Sequence, residues 1–232
     1  MKDSNENYDK WHSKYALEDD TSSDWHLFVK KNISIDKDMD NRKLLEIGCG
    51  RGGFSNYLSM LTLSLKSIHA CDFSNSAIEI AKSKFGDNDG KIIWKQEDVQ
   101  KLTFDDNYFD TIVSCETIEH VPNPDIAIKE LFRVLKPGGR LFLTCPNYFN
   151  FFGLWCVYRY LIGKPYTEGQ PYVNYPIYPL LLKWIDKSGL TIEQSYTSRL
   201  VLPLRAHYHF YVKKMPGFMK WFGFRTFFIL RK

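Results

Sequence analysis

The densest chemistry in the chain lies in seven residues, Glu46-Ile47-Gly48-Cys49-Gly50-Arg51-Gly52, where a short apolar segment gives way to helical spacing. Glycines at 48, 50 and 52 permit a tight turn, and they let a ligand lie against bare backbone near the N–H groups that open a helix. Glu46 precedes the first glycine by two places, where it can accept a hydrogen bond from a ligand amine or orient the turn. Two further acids follow later apolar segments. Asp72 comes directly after Lys66–Cys71, a position from which a carboxylate accepts hydrogen bonds from both hydroxyls of a ribose. Glu97-Asp98 follows Lys91–Trp94, and Asp98 there can accept from an adenine amino group. All these positions fall at carboxyl ends of strands, where open α/β sheets bind ligands. Taken singly, each acid reads equally well as a polar loop residue at a helix cap; their common register favours a binding site.

A second constellation is Ser114-Cys115-Glu116-Thr117-Ile118-Glu119-His120-Val121-Pro122. His120, whose reference pKa lies near neutrality, is the candidate general base, with Glu119 beside it. If the segment turns helical, positions 116, 119 and 120 share a face. Two carboxylates and an imidazole could then hold a divalent ion, magnesium or zinc, which would lower the pKa of an acceptor hydroxyl. The alternative is a carboxylate that caps a helix and a histidine packed near the ligand without metal.

These residues need a scaffold, and the pattern supplies one. Strands are expected at Lys43–Ile47, Lys66–Cys71, Lys91–Trp94, Tyr108–Cys115 and Arg140–Cys145, and helices at Phe54–Ser64, Asn75–Lys84 (capped by Ser74) and Asp125–Leu135. Alternation of this kind builds βαβ units and a parallel sheet. A helix at Pro179–Ser188 and strands at Leu190–Tyr196 and Arg225–Leu230 complete the reading.

A dehydrogenase competes for the same turn, because Gly48-x-Gly50-x-x-Gly53 satisfies the dinucleotide spacing. Glu46, Asp98 and Pro137-Gly138-Gly139 tip the balance. Together with the turn and Asp72, they make residues 42–146 resemble the class I S-adenosylmethionine-dependent methyltransferases. That resemblance implies a Rossmann-like, doubly wound, mostly parallel seven-stranded sheet with a reversed final strand. It implies that Glu46, Gly48 and Gly50, with Cys49 and Gly52 in the same loop, line the methionine part of the donor. Asp72 then holds the ribose, Phe73 packs on the adenine ring, and Asp98 with Val99 holds the adenine. The loop of Cys115 and Glu116 passes beneath the reactive end. The segment 116–139 is similar to the ubiquinone-biosynthesis O-methyltransferases, whose metal residues match Glu116, Glu119 and His120. The expected reaction is methyl transfer to a hydroxyl of a small or amphipathic acceptor, releasing S-adenosylhomocysteine. The alternatives are an N-methyltransferase acting on an amine or peptide terminus, and a non-catalytic cofactor-binding partner subunit.

Around this domain (41–232) lie three additions. Residues 1–40 read as a helical cap, with Tyr8, Trp11 and Tyr15 on one helical face and Asp24 capping a second helix. It either docks on the core surface or closes over a ligand. Residues 147–180 form an aromatic insertion after the fifth strand, not a core element, that overlies the acceptor pocket and offers Tyr166, Tyr172 and Tyr175. Residues 197–224 form a basic, aromatic insertion offering Arg205 and His207 to an anionic acceptor.

Composition sets the outer limits. With 232 residues, 44% apolar and 25% charged, the chain is an ordinary globular one. Five cysteines stand singly and no apolar segment opens the N-terminus, so a reducing, cytoplasmic setting is expected. The net charge of +4 is unevenly placed: eight Lys/Arg and no acid follow Glu193. With no recognition motif, nucleic acid is not an expected partner. Met215–Phe222 suggests peripheral contact with a membrane surface. Oligomeric state is not legible.

Overall fold

The computed structural model describes residues 2–14, 21–167, 169–201, 209–210 and 217–232. Seven strands form one sheet: β1 (Lys43–Ile47), β2 (Ser67–Asp72), β3 (Ile92–Gln96), β4 (Phe109–Cys115), β5 (Leu135–Pro146), β6 (Thr191–Ser198) and β9 (Arg225–Arg231). A two-residue pair, β7 (Leu200–Val201) with β8 (His209–Phe210), stands apart. The order in the large sheet is β3-β2-β1-β4-β5-β9-β6, and β9 alone runs against its neighbours. The expected seven-stranded, Rossmann-like sheet with a reversed last strand is therefore present.

The central strands are apolar on both faces because both are covered. On one face, α5 (Pro124–Val134) and α7 (Tyr178–Ser188) bury Ile128, Leu131, Leu181 and Ile185. On the other, α2 (Asp24–Asn32), α3 (Gly53–Ser59) and α4 (Asn75–Phe85) bury Phe28, Phe54, Leu58 and Ile78. This arrangement gathers the carboxyl ends of β1, β2, β3 and β4, with their loops, along one edge.

Three local expectations need correction. The helix expected to run to Ser64 stops at Ser59, because Thr62 and Ser64 hydroxyls turn back to the Asp40 carboxylate. Asp24 does not cap α2; Ser23 occupies that position, and the Asp24 carboxylate pairs with Arg199 at 2.5 Å. The insertion after β5 contains a helix that the pattern did not assign: α6 (Phe151–Leu161), started by Asn150, whose side chain accepts from the Gly153 N–H at 3.0 Å. Beneath it Tyr148, Cys156 and Phe224 make a small third core.

Candidate active site

The loop after β1 works through its shape. Gly48, Gly50 and Gly52 all have positive φ, a conformation that side chains rarely adopt. Its N–H groups, however, are spent inside the protein. Those of Gly48 and Cys49 both donate to the Cys71 carbonyl, at 2.8 and 3.0 Å, and that of Gly50 donates to the Asp72 carboxylate at 2.9 Å. What the loop offers a ligand is the bare face of Gly50, where a Cβ would meet nothing within 4 Å. Gly48 is bare for a different reason, since a Cβ there would collide with Thr117 of the loop after β4. Gly52 faces away from the cleft, against Trp94 and Ala81.

Asp72, at the end of β2, ties this loop to the next. Besides Gly50, it accepts from the Ser74 N–H at 2.9 Å, just before α4. Asp98 accepts from the Gln100 N–H at 2.9 Å and from the Gln100 amide at 3.3 Å. Its neighbour Glu97 is turned to Thr103 and Lys95.

One cavity of about 310 Å³ runs along this edge. Gly48, Gly50, Asp72, Phe73, Asp98, Val99, Glu116, His120 and Tyr172, all expected from sequence, line it. A nucleoside fits such a wall: carboxylates for hydroxyl and amino donors, the Phe73 ring for a base, and bare glycine for close approach. Among the lining residues not assigned from sequence are three from helix α1 (Lys2–Lys14): Tyr8, Trp11 and His12. The i, i+3 spacing of Tyr8 and Trp11 was the available signal. Tyr15 lies outside the described residues. The Tyr8 ring meets Phe73 edge-on at 6.3 Å, and burial, with Glu119 nearby, holds its phenol protonated well above the usual range.

Four of the expected cofactor residues, and the catalytic candidate Glu119, do not reach the cavity lining. Glu46 is fully enclosed, its carboxylate bonded to the Ser55 hydroxyl of α3, and burial pushes its pKa up to about 8. Cys49 packs under α3 with Phe54 and Leu58. Cys115 and Gly52 are likewise absent from the cavity wall. On the acceptor side, Tyr166 and Tyr175 pack the insertion: the Tyr175 hydroxyl donates to the Tyr166 carbonyl, and the Tyr166 ring meets Phe152 and Trp155. Arg205 and His207 lie outside the described residues.

The metal set is not assembled. Only Ile118–His120 forms a 3-10 turn, and Glu116 lies before it with φ +50°. Its carboxylate meets Arg225 Nη1 at 2.6 Å and the Thr144 hydroxyl at 3.0 Å. Glu119 is buried. Among the described residues no three His, Cys, Asp or Glu side chains are grouped to hold an ion. These donors do not fit a divalent cation.

His120 is oriented differently. Its Nδ1 donates to the Tyr172 carbonyl at 2.9 Å, a carbonyl that also accepts from the Tyr8 hydroxyl at 3.2 Å. That leaves Nε2 as the basic nitrogen, 3.8 Å from Glu119 Oε1.

Residues 45–143 match the methyltransferase domain family. The chain is 30% identical over 133 residues to the ubiquinone/menaquinone biosynthesis C-methyltransferase of Vibrio parahaemolyticus, covering 56% of this chain and 51% of that one. It therefore spans about half the length of that relative. It is 29% identical over 190 residues to the ubiquinone biosynthesis O-methyltransferase of Coxiella burnetii, covering 78% and 72%. The fold is shared with an S-adenosylmethionine-dependent methyltransferase of Mesorhizobium loti, with a TM-score of 0.64 at 13% identity over 91% of this chain and 99% of that one.

Proposed function

We propose that this chain, whose residues 45–143 match the methyltransferase domain family, is an S-adenosylmethionine-dependent methyltransferase that methylates a hydroxyl of a small or amphipathic acceptor and releases S-adenosylhomocysteine. The observation that carries the reading is that Gly50, Asp72, Asp98 and His120 line one and the same cavity. Asp72 binds the ribose, Asp98 and Val99 the adenine edge, and Phe73 the adenine face. When bound, the donor supplies a methyl group on a sulfonium, already a good leaving group. The chain's own work is alignment, exclusion of water and removal of a proton. His120 Nε2 takes the acceptor's hydroxyl proton, and Glu119 steadies the imidazolium so formed. Tyr172 holds the ring in place through its carbonyl. No step is assigned to a metal.

Tyr8, Trp11 and Tyr172 line the same cavity, and aromatic rings of this kind would also receive an amine. An N-methyltransferase is therefore the second reading. As partner, we propose a membrane surface rich in anionic lipid. Helix α6 leaves Leu154 66% and Leu161 75% exposed, and the 3-10 turn Gly217–Phe222 leaves Phe218 77% exposed. Phe149, preceding α6, stacks on Phe222 at 5.6 Å, so the two elements make one apolar face. No acid occurs between Leu131 and Thr167 or after Glu193, which suits that face to negative headgroups.

Methyl transfer from labelled donor to a panel of amphipathic phenols and amines tests the reaction. The expected product is a methyl ether, with turnover reduced by about 10²-fold or more in His120→Asn. Methylation of amines alone would establish the second reading. Donor binding without turnover on any acceptor would support a partner-subunit role.

A further inference from the structure

Helix α1 lies outside the matched methyltransferase domain, yet its Tyr8, Trp11 and His12 line the cavity. Its position is fixed at three points. The Asp9 carboxylate accepts from the Ser74 hydroxyl at 2.6 Å and from the Ser76 N–H at 3.0 Å, at the start of α4. Arg51, in the glycine loop, donates to the backbone carbonyl of His12. The Tyr8 hydroxyl reaches the Tyr172 carbonyl. The side chain of His12 is thereby held against the same loop and the same helix start that Asp72 organises.

His12 is 6% exposed and lines the cavity. Its Nδ1 has no hydrogen-bond partner among the described residues. Buried polar atoms are almost always paired, so an unpaired one on a cavity wall marks the place of a missing partner. Trp11 packs edge-on against the ring at 4.9 Å, which restricts its movement. Burial, with Arg51 nearby, lowers its pKa and favours the neutral imidazole, while Asp72 acts on the ring electrostatically in the other direction. A neutral imidazole offers one donor and one acceptor nitrogen, and a sugar hydroxyl can satisfy either.

We infer that His12 is a donor-binding residue, its Nδ1 hydrogen-bonding a ribose hydroxyl of the cofactor alongside Asp72. This rests on the reading of the cavity as an S-adenosylmethionine site. It adds the N-terminal helix to that site, so that cofactor affinity depends on residues the domain match does not include.

The test is titration calorimetry with S-adenosylhomocysteine and its 2′-deoxy and 3′-deoxy counterparts, on the wild type, His12→Phe and His12→Gln. Phenylalanine keeps the planar ring volume and removes both nitrogens; glutamine restores a polar atom at similar reach. We expect about tenfold weaker S-adenosylhomocysteine binding in His12→Phe, with partial recovery in His12→Gln. The gap between wild type and His12→Phe closes for the deoxy analogue that lacks the contacted hydroxyl. S-adenosylhomocysteine affinity within about twofold of wild type in a folded His12→Phe would overturn the assignment. A loss that persists equally for both deoxy analogues would do the same, by moving the contact off the sugar. If His12→Phe does not fold, His12→Gln alone decides through the same analogue comparison. A wild type that binds no S-adenosylhomocysteine removes the underlying reading, an outcome distinct from either.

Discussion

Glu46 gives the residue scale its clearest consequence. Its carboxyl is neutral in the folded chain up to about pH 8, whereas the unfolded chain releases that proton near 4.5. Between those values the folded state binds the extra proton, so stability falls as pH rises. His69, buried among Phe104, Tyr108 and Phe109 with its pKa lowered to about 4, acts in the opposite direction: stability rises with pH from about 4 to 6.5. Above 6.5 the His69 contribution is complete, so Glu46 is read in the window from 6.5 to 8. Urea denaturation across it should show a decline of up to about 1.4 kcal/mol per pH unit that Glu46→Gln removes. A decline unchanged in the variant would place the titration elsewhere. Residues at strand ends were legible because the loops there have only one edge of the sheet to occupy; Asp72, Asp98 and His120 all reach the cavity. Glu46 was only half legible. Sequence places it at the end of β1 without saying that Ser55 of α3 would take its carboxylate. His12 was missed because a helix outside the alternating pattern carries no sign of which cleft it will cover.

At the scale of elements, close approach decides what sequence could not. Helix α6 contains Gly153 within an aromatic run. In the structure a Cβ there would collide with the Tyr148 carbonyl, so the glycine lets the helix sit down on β5's exit. Gly153→Ala should cost about 1–3 kcal/mol and raise amide exchange across α6 while leaving β1 and β4 protected. Exchange unaltered in α6 would mean that the helix docks by other contacts. The core strands, by contrast, fell within a residue or two of expectation at Lys43–Ile47 and Arg225–Arg231, because apolar segments buried on both faces have few alternatives. The metal constellation failed at this scale too. It needed a helix from Glu116 onward, and the turn begins only at Ile118.

On the whole-molecule scale, the outline of the sheet and its ligand-bearing edge were readable from alternation and from acids in register. The distribution of exposed apolar surface was not, because the same aromatics serve as packing in Tyr166 and as surface in Leu154's neighbours. If the face of α6 and Gly217–Phe222 meets anionic lipid, the chain should float with phosphatidylglycerol vesicles at low salt and release as salt rises. Leu154→Glu with Leu161→Glu should abolish flotation while the fold is retained. Equal flotation with neutral vesicles, or none, would contradict the proposal. The proposed chemistry depends on what the cavity between β1, β2 and β4 binds. Equilibrium titration of the purified chain with S-adenosylhomocysteine and, separately, with a nicotinamide dinucleotide tests that directly. The account expects one site for S-adenosylhomocysteine, weakened by about 1–3 kcal/mol in Asp72→Ala, and no competition from the dinucleotide. Binding of the dinucleotide in its place, or a silent titration with both, would contradict it.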